Sequence, residues 1–285
     1  MNKKLIKNPV LGAICGDMIG VPYEFRKNKA EKDFPLWNNY SKFSDDTVMT
    51  IAVAEWLLTP PYNTDALIKI MQKWGRKYPN AGYGGMFRKW LKENNPQPYN
   101  SFGNGSAMRV SPVGCAFQTL ETTLIMAEQS ASVSHNHPEG IKGAKCVAEF
   151  IFRALNKDGD RGIVGTMTSD FSNYLGGLAV QNYGYNLSKT PEEIIKSGYR
   201  FNSTCQGSVP EAICCFLNSD SYEETIRNAI YLNGDCDTQA AIAGSIAAAY
   251  WGIPKDIADE GLDRLPNDMY DILEQFSEKY NLELN

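Results

Sequence analysis

Apolar residues recur along most of the chain at the three- and four-residue spacing of helices, and no convincing strand alternation appears. Over residues 47–58 this spacing predicts a helix, which the following pair of prolines ends. The same pattern predicts further helices over 65–74, 120–131, 141–155, 191–197, 209–217, 222–232 and 238–251. Gly-, Asn- and Pro-rich loops over 79–85 and 94–105 separate some of them. The sequence therefore predicts an all-α fold.

The predicted helix from Thr238 to Trp251 is unusual, because it is rich in Ala and Gly and has almost no polar face. It is shorter than the roughly 20 residues that cross a bilayer, so we expect a central helix that its neighbours approach closely. Thr64 and Ser221 are predicted to cap the helices that follow them. Nothing in the chain is typical of an interdomain linker, and we expect a single domain over residues 1–285.

The composition excludes several classes of protein. The chain carries 28 basic and 33 acidic side chains, a net charge of −5, whereas nucleic-acid binders usually show a basic excess. No apolar run approaches the length of a membrane span. Only two histidines, His135 and His137, are present, which excludes an HExxH zinc site. Seven cysteines without CxxC spacing, and a start atypical of a secretory signal, predict reduced thiols in a cytoplasmic protein.

Two acidic clusters stand at predicted helix starts. Residues 44–47 read SDDT before the first strongly apolar helix, and residues 234–238 read GDCDT before the Ala-rich one. Helix capping is one explanation, since Ser, Thr and Asp satisfy free N–H groups there. A cap needs only one oxygen, however, and each cluster supplies two carboxylates and at least one hydroxyl. Such all-oxygen sets suit Mg²⁺, Mn²⁺ or Ca²⁺, and converging helix starts would provide enough ligands for two ions.

Three further motifs bear on function. Residues 16–24 read GDMIGVPYE, which places two carboxylates near the end of a first helix. Residues 101–109 read SFGNGSAMR, a glycine-rich loop followed by a basic residue, and Ser134 precedes His135. Each motif alone is weak, because Gly-Asp is compatible with close helix packing and the loop lacks the third glycine of a dinucleotide fingerprint. A loop histidine is also more often structural than catalytic.

In this order the motifs resemble those of the ADP-ribosylglycohydrolase family, and the resemblance runs from Leu11 to about Pro254. The matching motifs are GDxxGxPxE, SDDT before an apolar helix, GNGSAMR, SH and GDxDTxAAIxG. The resemblance implies a compact orthogonal helical bundle, in agreement with the helical pattern. It also implies a binuclear Mg²⁺ or Mn²⁺ centre, whose ligands would be Ser44, Asp45, Asp46, Asp235, Asp237 and Thr238. Cys236, between two of these acids, is expected to point away from the metals.

The resemblance also implies roles for other residues. Glu24 matches an acidic residue that closes over the metals, and Glu24, Asp45 and Asp46 become the candidates for catalytic base or proton donor. The residues expected to bind the diphosphate and ribose of ADP-ribose are Ser101, Phe102, Gly103, Asn104, Gly105, Met108 and His135. Arg109 could instead pair with nearby carboxylates. The metals would hold the distal ribose and activate a water, and the C1″ bond would break through an oxocarbenium-like state.

The implied activity is release of ADP-ribose from modified protein side chains or from small ADP-ribosyl conjugates. An alternative is a non-catalytic relative that binds ADP-ribose or serves as a structural, crystallin-like protein, but all six ligand positions keep an oxygen side chain. A metal-dependent phosphatase would leave the GNGSAMR loop unexplained. The linkage cleaved, to arginine, serine or acetyl, depends on pocket-mouth loops expected over 25–42, 79–100 and 157–190. We expect a monomer with no nucleic-acid or membrane partner.

Overall fold

The computed structural model describes residues 4–25, 31–156, 177 and 181–284, and it confirms the all-α fold class. Two-residue strands, β1 (Leu5–Ile6) and β2 (Ile253–Pro254), pair antiparallel with Leu5 opposite Pro254. No described helix has both the length and the apolar character needed to cross a membrane. The helices are α1 (Pro9–Gly20), α2 (Asp45–Trp56), α3 (Thr64–Lys77), α4 (Gly85–Trp90), α5 (Gly105–Met108), α6 (Ser111–Ala116), α7 (Leu120–Ser132), α8 (Pro138–Leu155), α9 (Pro191–Lys196), α10 (Cys205–Leu217), α11 (Tyr222–Tyr231), α12 (Cys236–Tyr250), α13 (Lys255–Asp263) and α14 (Asn267–Tyr280).

Local capping chemistry decides where several helices begin. Ser221 caps α11 as predicted, by accepting a hydrogen bond from Glu224 N. The prediction that Thr64 caps α3 was wrong, because Asn63 accepts from Ala66 N and Thr64 is already helical. Helix α8 begins three residues earlier than predicted, since the ring of His137 caps it ahead of a proline. The C-terminal helices α13 and α14 were not predicted.

The Ala-rich helix α12 is buried along its whole length, as predicted, and α1 packs directly on it. Glycines of α1 make this approach possible. A Cβ atom on Gly16 would lie 2.2 Å from the Ala240 carbonyl oxygen, and one on Gly20 would lie 2.5 Å from the Cα of Asp237. Only glycine leaves room for the facing backbone at these positions. The contact places the last turn of α1 against the first turn of α12.

Replacing Gly16 with Ala should lower the free energy of unfolding by about 1–3 kcal/mol or more, because the added methyl meets backbone rather than a movable side chain. Urea denaturation measures this change. Gly85→Ala is the matched control, since a Cβ there meets nothing within 4 Å. That substitution should be neutral or stabilise the fold by about 0.4–1 kcal/mol. Equal stability of the two variants would show that α1 and α12 pack less closely than described.

Nearly all the buried apolar side chains of the described residues form one contiguous cluster, from Ile6 near the start of the chain to Phe276 in α14. The C-terminal end of α1 and the N-terminal ends of α2 and α12 meet at one edge of this cluster. Polar side chains from all three helices therefore share a single location, although they are far apart along the chain.

Candidate active site

The structure brings the two acidic helix starts together. Thr238 Oγ1, in the first turn of α12, donates a hydrogen bond of 3.2 Å to Asp46 Oδ2, in the first turn of α2. Ser44 Oγ caps α2 by accepting from Asp46 N at 3.1 Å. Asp235 occupies the cap position of α12 but makes no capping hydrogen bond there. Capping therefore explains Ser44 and does not explain the carboxylates.

Asp17 from α1 stands at the centre of this arrangement, a position that the sequence analysis did not predict. Its side chain is fully buried, and its Oδ2 accepts from Ser44 N at 2.9 Å, Thr47 N at 3.1 Å and Thr47 Oγ1 at 2.5 Å. Its second oxygen, Oδ1, has no hydrogen-bond partner among the described residues. Asp17 thus fixes the start of α2 with one oxygen and leaves the other available.

The carboxylates form two groups that share Asp237. Oxygens of Asp17, Asp46 and Asp237 lie within 4.8 Å of one another, and so do oxygens of Glu24, Asp235 and Asp237. Glu24 follows the 3₁₀ turn Val21–Tyr23 at the end of α1, and its carboxylate lies beside that of Asp237. Asp45 belongs to neither group, and its carboxylate lies beside Gly82.

Burial and mutual repulsion raise the pKa values of these acids. Desolvation, with the charge of Asp235 adding to it, raises the pKa of Glu24 to about 7. Desolvation and the charge of Asp17 raise the pKa of Asp45 to about 7. Desolvation also holds the pKa values of Asp46 and Asp237 well above the usual range, with the charge of Asp17 adding to it at Asp46 and the charge of Asp46 adding to it at Asp237. None of these side chains pairs with a basic side chain of the described residues.

A hard divalent cation fits this site. Asp17 Oδ1 and Asp46 Oδ1 are buried oxygens without partners among the described residues, and such atoms are costly unless something neutralises them. The surrounding donors are carboxylate and hydroxyl oxygens, the ligands that Mg²⁺ and Mn²⁺ prefer. The Sγ of Cys236 lies near the carbonyl oxygens of Gly234 and Ile230, at 3.5 and 3.7 Å. The thiol therefore turns away from the carboxylates, as expected.

A cavity of about 800 Å³ is lined on its acidic wall by Glu24, Asp45, Asp46, Asp235 and Asp237, whereas Asp17 is buried and is not among the lining residues. All the predicted ADP-ribose-binding residues except Phe102 line the same cavity. The Phe102 ring is 45% exposed and packs edge-on against His137, with ring centroids 5.3 Å apart. Met108 and His135 both face the cavity.

The glycine-rich loop is tied to the acidic wall through Asn104. Its Nδ2 donates to Asp235 Oδ2 at 2.9 Å and to Ser208 Oγ at 3.1 Å. The segment before α10 supports the loop, since Asn104 N donates to Ser203 O at 2.8 Å. Phe201 and Ser203 also line the cavity, and sequence reasoning missed this segment because it carries no motif.

The three predicted pocket-mouth loops differ in how much of each lines the cavity. Residues 25, 42, 79–82, 84–87 and 99 contribute to the cavity wall. Residues 26–30, 157–176 and 178–180 lie outside the described residues. The described residues among 177 and 181–190 do not line this cavity.

The expectation that Arg109 pairs with carboxylates was wrong, since it contacts no carboxylate among the described residues. Its Nη2 donates to Ser130 O at 3.1 Å and to Ser134 Oγ at 3.0 Å, and the guanidinium lies 5.8 Å from the ring centre of Phe87. The acids of the cavity instead face one another, so Arg109 belongs to the wall that carries His135.

Comparison with known proteins gives consistent matches. A family model described as ADP-ribosylglycohydrolase matches residues 3–284. ADP-ribosylhydrolase ARH3 of Bos taurus is 29% identical over 307 residues, which cover 85% of this chain and 83% of that protein. ADP-ribosylarginine hydrolase Tri1 of Pseudomonas putida is 24% identical over 87% of this chain and 70% of its own length. A solved structure, an ADP-ribosylglycohydrolase-related protein complex, shares the fold with a TM-score of 0.68 at 22% identity, over 95% of this chain and 96% of its own.

Proposed function

Because the chain belongs to the ADP-ribosylglycohydrolase family and is a glycohydrolase, we propose that it releases ADP-ribose from ADP-ribosylated protein side chains or small ADP-ribosyl conjugates. One observation carries the proposal: the acids of both helix starts and the glycine-rich loop face the same cavity. The hydrogen bond between Asn104 and Asp235 joins the two halves. Relatives named for hydrolysis of ADP-ribosyl bonds support the substrate class.

We propose further that the acids hold two Mg²⁺ or Mn²⁺ ions. The two groups that share Asp237 suggest two positions, and the buried Asp17 adds an oxygen to the predicted ligands. The full proposed set is Asp17, Ser44, Asp45, Asp46, Asp235, Asp237 and Thr238. When bound, such ions supply Lewis-acid stabilisation of sugar hydroxyls and make a nearby water more acidic.

Glu24 and Asp45 are the residues best suited to move the proton. Both line the cavity, and in the metal-free protein burial and neighbouring acids raise the pKa of each carboxyl to about 7, so that each can hold or release a proton near neutral pH. Bond scission at C1″ builds positive charge on the sugar ring, which the surrounding carboxylates stabilise. The cavity volume is within the range that small-molecule sites usually have.

A non-catalytic role as an ADP-ribose-binding or crystallin-like protein is the second candidate. It would explain the cavity and the loop. Metal-dependent binding of the ribose would also explain the metal-binding acids, but it would leave Glu24, a cavity-lining carboxyl whose raised pKa of about 7 lets it exchange a proton, without a role. The geometry therefore favours the enzyme.

A release assay tests the proposal. Arginine-, serine- and acetyl-linked ADP-ribose would each be incubated with the full chain and Mg²⁺ or Mn²⁺, and free ADP-ribose would be measured by chromatography. Turnover of at least one substrate is expected, and the preferred one identifies the linkage. Tight binding of ADP-ribose without turnover of any of the three would favour the non-catalytic alternative.

Affinity should rise from AMP to ADP to ADP-ribose. The glycine-rich loop can contact the diphosphate, whereas only ADP-ribose carries the distal ribose that reaches the acidic wall. We expect ADP-ribose to bind about tenfold or more tightly than ADP in the presence of Mg²⁺, measured by calorimetry. The advantage over ADP should disappear when Mg²⁺ is omitted. Equal affinity for AMP and ADP-ribose would place the ligand elsewhere.

The metal-free protein should lose stability as the pH rises from about 5 to about 7.5. Folding raises the pKa values of Glu24 and Asp45 to about 7, so the folded state binds more protons than the unfolded state in this range. The destabilisation that arises when these two carboxyls ionise in the folded protein is absent at low pH and complete above their folded pKa values. Thermal melts with and without Mg²⁺ check this, and the stabilisation by Mg²⁺ should grow with pH. A metal-free melting temperature that rises with pH would contradict it.

We also propose a reducing, cytoplasmic setting. All seven cysteines lie within the described residues, and each is a free thiol. Six of them are buried, and Cys115 is half-buried, so they serve as small apolar side chains. Free thiols of this kind support the proposal, because oxidising compartments favour disulfides.

A further inference from the structure

Behind the glycine-rich loop, three buried polar side chains form a chain of hydrogen bonds that the proposed chemistry does not use. Arg109 Nη2 donates to Ser134 Oγ at 3.0 Å, and Ser134 Oγ lies 2.8 Å from His135 Nδ1. Arg109 and His135 are 1% and 5% exposed, and Ser134 is fully buried. Both ends of the chain, Arg109 and His135, line the cavity.

The chemistry of these groups fixes the direction of each hydrogen bond. A guanidinium only donates, so Ser134 Oγ must accept from Arg109. The Ser134 hydroxyl then has one hydrogen to donate, and His135 Nδ1 is its only acceptor among the described residues. A proton on Nδ1 would leave that buried hydroxyl without an acceptor, which is unfavourable. Nδ1 is therefore unprotonated, and the ring hydrogen is on Nε2.

The electrostatic surroundings exclude the doubly protonated ring. Burial lowers the pKa of His135 well below its usual range, and the charge of Arg109 lowers it further. Arg109 has no carboxylate partner among the described residues, and its Nε is buried without a partner there. Its positive charge is therefore not cancelled locally, and it favours an anion at this wall of the cavity.

The position of Nε2 shows where its hydrogen is directed. A Cβ atom on Gly105 would lie 2.9 Å from Nε2, and one on Gly103 would lie 3.6 Å from it. The ring edge thus lies directly against the glycine-rich loop. No described residue accepts a hydrogen bond from Nε2, so this donor is available to a ligand.

We propose that Ser134 and Arg109 are positioning residues that fix His135 in its neutral Nε2–H tautomer, so that Nε2–H donates to an anionic oxygen of the ligand beside Gly103 and Gly105. The tautomer follows from the buried hydrogen bonds alone. The identity of the acceptor as a diphosphate oxygen rests on the proposed function. Orientation of a histidine through the hydrogen bond on its other nitrogen is a general device in proteins.

Nitrogen NMR of the ¹⁵N-histidine-labelled full chain tests the tautomer directly, because the protein contains only two histidines. Two-bond couplings to the ring carbons' hydrogens distinguish Nδ1 from Nε2. The variant His137→Asn assigns the signals, since asparagine can replace the ring that caps α8 and leaves His135 alone in the spectrum. We expect His135 to be neutral with its hydrogen on Nε2.

Ser134→Ala and Ser130→Ala form a matched pair of variants. Both remove a fully buried hydroxyl beside Arg109, but the Ser130 hydroxyl has no partner among the described residues and only its backbone carbonyl meets the guanidinium. Ser134→Ala should give His135 a mixture of tautomers or Nδ1–H, and should weaken ADP-ribose binding by about tenfold. Ser130→Ala should leave the tautomer unchanged and the affinity within about twofold.

The outcomes separate the inference from the proposed function. A wild-type His135 that carries its hydrogen on Nδ1, or on both nitrogens, overturns the inference even if Ser134→Ala fails to fold. An unchanged tautomer in a folded Ser134→Ala overturns the role of Ser134. The expected tautomer in a protein that does not bind ADP-ribose upholds the positioning and instead contradicts the proposed function.

Discussion

Removal of divalent metal should reduce turnover by at least about 10²-fold, and adding Mg²⁺ or Mn²⁺ back should restore it. The physical reason is the uncompensated charge of the cavity wall. Asp17 Oδ1 and Asp46 Oδ1 are buried without partners among the described residues, and Asp46 and Asp237 have strongly raised pKa values. Without a cation these acids take up protons or repel one another, and they cannot hold a sugar diol.

The measurement is an initial rate on the substrate that the release assay identifies, after treatment with EDTA and dialysis. EDTA presaturated with Mg²⁺ is the matched control, because it adds the same chelator without removing magnesium. Metal should also raise the melting temperature, since an ion that binds only the folded state stabilises it by about 2.7 kcal/mol at a hundredfold excess over its Kd. Full activity in protein shown by elemental analysis to contain no metal would contradict the proposed centre.

The periodic helices could be predicted from the sequence because local spacing decides them. Helix α12 is the best example, since its Ala- and Gly-rich composition indicated both burial and close neighbours. Helix starts were less predictable where two capping residues compete, as at Asn63 and Thr64. The short helix α5 begins within a glycine-rich motif that favours a loop, and contacts with α8 rather than local preference stabilise it.

The residues of the candidate site also divide into those that the sequence indicated and those that it did not. Motifs at helix starts indicated the acids of α2 and α12, because excess carboxylates are visible in the sequence itself. The position of Asp17 was not predictable, since it depends on how α1 packs against both helices, far away along the chain. The support of the loop by Ser203 and Ser208 is also a long-range contact without a local signal. Spacing can thus indicate chemistry but does not specify which elements meet.

The close packing of α1 on α12 and the acidic wall are connected. Gly20 lets the backbone approach the Cα of Asp237, and this approach brings Asp17 and Glu24 to the two groups of oxygens that share Asp237. The closely packed backbone holds these like-charged carboxylates near one another, although their repulsion would otherwise separate them. The stability that the apolar core supplies is therefore partly offset at this edge, as is common where function requires unfavourable local contacts.

Asp46→Asn and Asp237→Asn should each reduce turnover by at least about 10²-fold while leaving the metal-free fold intact. Each residue is the second residue of its helix, where asparagine keeps the shape and one carbonyl oxygen. Asparagine is neutral and a poorer ligand for hard cations, so the metal-dependent rise in melting temperature should also shrink or vanish. Metal-free stability should be equal to or slightly above wild type, because removing one charge relieves repulsion among buried acids.

Asp65→Asn is the matched control for this prediction. Asp65 is also the second residue of its helix, α3, but it is exposed, belongs to neither carboxylate group and does not line the cavity. Its substitution removes the same helix-terminal charge and should change stability by only about 0.3–1 kcal/mol, with turnover unchanged. Each variant would be melted with and without Mg²⁺ and then assayed on one substrate. If Asp46→Asn and Asp237→Asn unfold easily without metal yet keep normal turnover, these aspartates serve the fold, and the active site lies elsewhere in the protein.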